Sequence, residues 1–156
     1  MPGTIESRLA DLGIELPIPQ KTRVAKILPT MIVDRLLYVS GMVPQWNGEL
    51  RFVGKVGREF TLEEGQAAAR LSTLNVLAQA REALDGDLDR IARVVNLKGY
   101  VNAVPDFTAI SAVVNGASEL MIELFGDAGQ HTRTALGVAV MPFDVATEVE
   151  AIFELA

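Results

Sequence analysis

The chain has 156 residues, 49% of them hydrophobic and 22% charged, and a formal charge of −6 with a pI near 4.8. Those proportions describe one globular domain over 1–156 that buries roughly two-thirds of its unfolded surface. The acidic balance is the wrong sign for tracking nucleic-acid phosphates, so no nucleic-acid partner is expected. With no cysteine and a single histidine, His131, disulfides and thiolate nucleophiles are excluded, and a Ser-His-Asp arrangement or a multi-histidine metal site is disfavoured. No apolar run reaches membrane-spanning length, and the amino terminus lacks a basic region followed by an apolar core. A soluble, cytoplasmic protein with no membrane partner is expected.

In chain order, Ile5 to Leu12 reads as a short helix, with Thr4 as its cap and Gly13 ending it. Pro17 and Pro19 then force an extended arm, so 1–21 forms a helix and arm preceding the main body. Residues 22–28 and 36–40 read as strands, and Asn47-Gly48 signals a tight turn between Trp46 and Leu50. Thr61-Leu-Glu-Glu64 is a capping box that opens the longest helix, about 62–84, with Ala67, Leu71, Leu74 and Ala78 along one face. Ile91 to Val104 reads as a long strand broken by Pro105-Asp106. A second helix follows over about 108–125, stopped by Gly126.

The final two segments carry the most information. Arg133-Thr-Ala-Leu-Gly-Val-Ala-Val-Met-Pro142 has no other charge and reads as a strand buried on both faces. Thr147-Glu-Val-Glu-Ala-Ile-Phe-Glu-Leu155 alternates, with Glu148, Glu150 and Glu154 opposite an apolar stripe. Pro142 to Ala146 has the length of a hairpin turn between them. The order of elements implies an α+β sandwich, a mixed sheet with two helices on one face. The apolar final strands further imply a free sheet face packed on another subunit.

Arg133, at the head of that hairpin, offers a planar fork suited to a carboxylate, and Glu148 across the turn is its natural partner. A plain strand-end arginine and a solvated glutamate row are the competing readings. Asn115, inside the apolar run Ala112-Val-Val-Asn-Gly-Ala117, has the donors and acceptor to cap, brace a loop or touch a ligand. Ser40-Gly41 ends a strand where another group can approach closely. His131 reads as an exposed loop residue. Asp85-Gly-Asp-Leu-Asp89 lacks the glycine and distal glutamate of a calcium loop and reads as a turn, so no metal site is expected.

Taken together, these segments resemble the RidA (YjgF-type) reactive-intermediate deaminase family, and within it the longer branch with an extra amino-terminal helix. The resemblance runs from about residue 22 onward. It rests on Leu37-Tyr-Val-Ser-Gly41 with Val43-Pro44, the helix from Thr61, and Leu88-Asp-Arg-Ile-Ala-Arg-Val-Val95. It continues through Val104-Pro-Asp-Phe107 and Asn115. The specific part is the closing block, Arg133-Thr134, Met141-Pro142 and Glu148-Val-Glu-Ala151.

The resemblance implies a chorismate-mutase-like fold assembled as a homotrimer with clefts between adjacent subunits. It implies hydrolysis of small enamine or imine acids of the 2-aminoacrylate type to 2-keto acids and ammonia, with no cofactor. Arg133 would hold the substrate carboxylate and Glu148 would position or activate water. Backbone near Gly41 and Ala135, together with Asn115, would complete the cleft. This chain departs from the pattern at Ile27, where many members carry tyrosine, and at Met42, where glutamine is common; both changes make the cleft more apolar. The alternatives are a non-catalytic or regulatory trimer that binds small carboxylic acids in the same clefts and, less favoured by charge, an endoribonuclease.

Overall fold

A computed structural model describes residues 3–21 and 24–156. The longest helix, α2 (Leu62–Ala83), opens on the expected capping box. The Thr61 hydroxyl accepts from the Glu64 amide at 3.2 Å, and the Glu64 carboxylate accepts from the Thr61 amide at 2.8 Å. Two of the amides that a helix start leaves unpaired are satisfied there. Ahead of it, α1 (Thr4–Asp11) is present, but Thr4 is its first helical residue rather than its cap. Its amides are taken by a distant side chain. Asp89 accepts from the Thr4 amide at 2.7 Å and the Ile5 amide at 2.9 Å. The aspartate-rich turn thereby fastens α1, with Asp87 capping the short 3-10 turn at Leu88–Arg90. The third helix, α3 (Ile110–Phe125), ends at Gly126.

Among the described residues seven strands accompany them: β1 (Thr30–Val33), β2 (Leu36–Met42), β3 (Gln45–Trp46), β4 (Glu49–Leu50), β5 (Ile91–Asn102), β6 (Thr132–Val138) and β7 (Thr147–Leu155). Five of them form one sheet in the order β1-β2-β7-β5-β6, and β3-β4 form a separate hairpin. The hairpin turns at Asn47 and Gly48, both at positive φ as the sequence implied. In the main sheet only β5 and β6 run parallel, so the sheet is mixed. A parallel pair needs a long crossover, and α3 supplies it.

Three expectations are corrected here. The strand read at 22–28 is absent from its described part, since 24–28 form bends and coil; residues 22 and 23 lie outside the described residues. The first strand is instead Thr30–Val33, hairpinned to β2 through Asp34, which takes positive φ. Secondly, β6 and β7 are not a hairpin. β5 lies between them, parallel to one and antiparallel to the other. Thirdly, β6 is not buried on both faces. It is an edge strand whose residues alternate between half-buried and exposed, and Leu136 is 53% exposed. One face of β6 meets α3, and Leu136 on the other is left open among the described residues.

β7 keeps the alternation its sequence shows. Thr147, Val149, Ala151, Phe153 and Leu155 are buried, while Glu148, Ile152 and the other intervening residues are half-exposed. Its buried row packs under α2 and α3 with Leu37, Leu77, Leu97, Leu120 and Leu124, all fully buried. The two long helices cross closely because Gly116 of α3 lies against the backbone of Gln66, where any side chain would collide. The opposite sheet face presents Tyr38, Tyr100 and Leu136 beside the glutamate row. No helix among the described residues is long and apolar enough to cross a membrane.

Candidate functional site

Arg133 sits opposite Leu97 in the β5–β6 pairing, so its side chain rises on the helix-covered side of the sheet. There it meets α3. One guanidinium nitrogen, Nη1, donates to Asn115 Oδ1 at 2.8 Å and to Ser118 Oγ at 3.1 Å. The other, Nη2, donates to the Ser111 carbonyl at 3.2 Å and its hydroxyl at 3.1 Å. Ser111, Asn115 and Ser118 fall at positions i, i+4 and i+7 of α3, one uncharged polar stripe along the helix. Asn115 is therefore brought to Arg133 as a bracing residue. Four of the five guanidinium donors are thus taken by α3, and Nε–H alone has no protein acceptor among the described residues.

The two serines were missed in the sequence. Their signal is the spacing of four and three around Asn115, legible only once Asn115 is taken as the middle of a stripe.

Glu148 lies elsewhere. It pairs with Tyr100 on the face away from the helices. Its carboxylate lies over Gly41: a Cβ placed on that glycine would come within 2.5 Å of Glu148 Oε1. The approach is possible because the β2–β7 register slips between Val39 and Met42, and because residue 41 has no side chain. Burial pushes the Glu148 carboxyl above the usual carboxylate range, and the nearby charge of Glu150 adds to it. Tyr100 is likewise raised, by burial first and then by Glu150. Glu150 also pairs with Lys98 at 3.4 Å. Gly41, Tyr100, Val138, Met141, Pro142 and Glu148 are among the residues lining a cleft of about 300 Å³. A larger, shallow apolar depression of about 600 Å³, between Trp46, Arg51, Phe52 and Leu71, contains none of the candidate residues.

The expected constellation is thus divided. Gly41 with Glu148, and Asn115 with Arg133, form two half-sites on opposite faces of one sheet. Ala135 pairs with Gly99 and packs beneath α3, on the arginine side. Met42 turns to the core opposite Val149 instead of lining the glutamate cleft, because the bulge places it on the buried row. Ile27 is 52% exposed in the irregular stretch before β1. His131 is half-buried rather than an exposed loop residue, with both ring nitrogens engaged. Among the described residues, no cluster of three or more His, Asp or Glu side chains is arranged to hold a metal.

Comparison with known proteins places this geometry in a family. Residues 6–155 match the model described as "YjgF/chorismate mutase-like, putative endoribonuclease". Protein TCP17 of Trypanosoma cruzi is 43% identical over 157 aligned residues, covering 98% of this chain and 95% of that protein. The crystal structure of the Agrobacterium tumefaciens protein Atu1372, of unknown function, is 42% identical and superposes with a TM-score of 0.90, covering 98% of this chain and 93% of that one. A Shewanella oneidensis protein whose name carries the endoribonuclease assignment is 37% identical with a TM-score of 0.93, over 98% of this chain and 100% of that one. The chain belongs to the YjgF/chorismate mutase-like family.

Proposed function

We propose that this protein hydrolyses small enamine and imine acids of the 2-aminoacrylate type to 2-keto acids and ammonia, in clefts between neighbouring copies of the chain. The observation that carries this reading is the division of the site. A braced guanidinium with one unpaired donor, Nε–H, and a partly desolvated carboxylate over a glycine stand on opposite faces of one sheet, so a cleft using both draws one from each of two copies. Leu136, Val140 and Phe143, exposed at and beyond the β6 edge, fit a surface that a neighbour covers. A trimer closes such a heterologous contact and repeats the cleft three times.

The chemistry needs little beyond these groups. Protonation of the enamine at its terminal carbon gives the imine, whose carbon is already electrophilic. Water adds there, and the carbinolamine releases ammonia to leave the keto acid. Arg133 holds the substrate carboxylate through its unpaired Nε–H and through an Nη2–H that exchanges its Ser111 contact for the ligand, which fixes the reacting carbon. Glu148, its carboxyl raised above the usual carboxylate range by burial and by Glu150, is suited to give a proton and take one back from water.

The endoribonuclease in the family's description fits this chain less well, since a charge of −6 repels phosphate.

The test is an assay on 2-aminoacrylate generated in place, with 2-ketobutyrate binding measured in parallel. Accelerated keto-acid release by wild type, cut about 100-fold or more in Glu148→Gln while binding persists, is the expected result. Binding without any acceleration would replace the enzyme with a carboxylate-binding regulatory protein. RNA cleavage or stoichiometric, salt-dependent RNA binding would overturn both.

A further inference from the structure

Arg133 does not depend on α3 alone. Its partner Ser118 is also bonded to His131, the only histidine in the chain, at 2.9 Å from Oγ to Nε2. The other ring nitrogen, Nδ1, lies 2.6 Å from the Gly129 carbonyl oxygen. A carbonyl can only accept, so Nδ1 carries a proton, and in the imidazole tautomer this selects, Nε2 is an acceptor. The Ser118 hydroxyl must then donate its single hydrogen to Nε2. That orientation leaves its lone pairs for the Arg133 Nη1–H, 3.1 Å away.

We infer that His131 is a positioning residue for Arg133. It fixes the direction of the Ser118 hydroxyl and, through it, the plane of the guanidinium. Its importance to function rests on the reading of Arg133 as the carboxylate anchor, whereas the relay itself does not. Without an acceptor at Nε2, the hydroxyl is free to turn back towards its own helix, the usual behaviour of a mid-helix serine. Arg133 then keeps Asn115 and Ser111 but loses the contact that fixes its second Nη1 hydrogen. The relay begins in the Gly126–Gly129 turn and ends at the first residues of β6, so the short segment between them sets the angle at which Arg133 is presented.

The experiment is arginine side-chain NMR on uniformly labelled protein, with Arg133→Lys used to assign the Arg133 signals. Separate, slowly exchanging Nη resonances are expected for wild type. They should collapse in His131→Leu and return in His131→Gln, whose amide oxygen restores an acceptor near the Nε2 position. Ser118→Ala tests the same link without touching the loop, and adding His131→Leu to it should change nothing further. Unchanged Arg133 signals in His131→Leu, or independent effects of the two substitutions, would overturn the relay. In 2-ketobutyrate titrations, His131→Leu should bind about fivefold to thirtyfold more weakly, with His131→Gln close to wild type. If wild type showed the resolved signals but bound no keto acid, the proposed function would fall and the relay would stand.

Discussion

Arg133 and Glu148 flank the same strand without meeting: Arg133 pairs with β5 at Leu97 and Glu148 pairs with it at Tyr100, three residues along. Successive strand residues alternate faces, so a separation of three puts the two side chains on opposite sides of the sheet. The guanidinium goes to α3 and the carboxylate to Gly41. Each half-site is well formed, and neither contains the chemistry of the other.

Arg133→Lys keeps the charge but loses the planar fork and most of the α3 cradle. It should weaken 2-ketobutyrate binding by about 1.5–3 kcal/mol, the range for charge-assisted hydrogen bonds. Calorimetric titration of the purified protein measures this directly. Binding equal to wild type would remove Arg133 as the anchor.

Much of the scaffold behind that arginine was legible because its signals are local. The capping box at Thr61, the Asn47-Gly48 turn and the alternation of β7 each lie within a few residues of what they determine. The β6–β7 hairpin failed for the opposite reason. Sequence neighbours with a short link usually pair, but here β5, some thirty residues upstream of β6, takes the intervening place through parallel pairing. The misplaced first strand has a similar origin. Apolar content alone does not separate the bends at 24–28 from the β-branched Thr30–Val33 beside its Asp34 turn. Gly41 and Asn115 were identified individually, but their partners, Glu148 for one and Arg133 for the other, depend on strand order.

Glu148 also makes stability depend on pH. Its carboxyl is raised above the ordinary value of 4.5 by burial and then by Glu150, so the folded chain holds that proton more tightly than the unfolded chain. The stabilisation it contributes is complete below 4.5 and is lost as pH rises through the folded value. Glu148→Gln carries no such charge. Its urea midpoint relative to wild type should therefore rise as pH goes from 4.5 to neutrality. A difference that stayed flat, or fell, would show that the ionised carboxylate is not penalised in the fold.

Asp89→Ala should loosen α1 selectively. The carboxylate satisfies the Thr4 and Ile5 amides, and the helix it starts buries Ile5 and Leu9 against the core. Loss of a cap costs about 1 kcal/mol. Hydrogen exchange should speed up in α1 while α2 and α3 keep their protection. Uniform faster exchange, or none, would mean that the Asp89 carboxylate is not what holds α1 in place.

The cleft between subunits is tested most directly by complementation. Arg133→Lys and Glu148→Gln chains, each of low activity alone, are co-expressed with different tags, and doubly tagged oligomers are purified and assayed on 2-aminoacrylate. If every cleft takes its arginine from one chain and its glutamate from the next, about one cleft in three of each mixed trimer regains both groups. Activity well above either parent is the predicted result. Mixed oligomers no more active than their parents would mean that Arg133 and Glu148 do not meet across a subunit boundary.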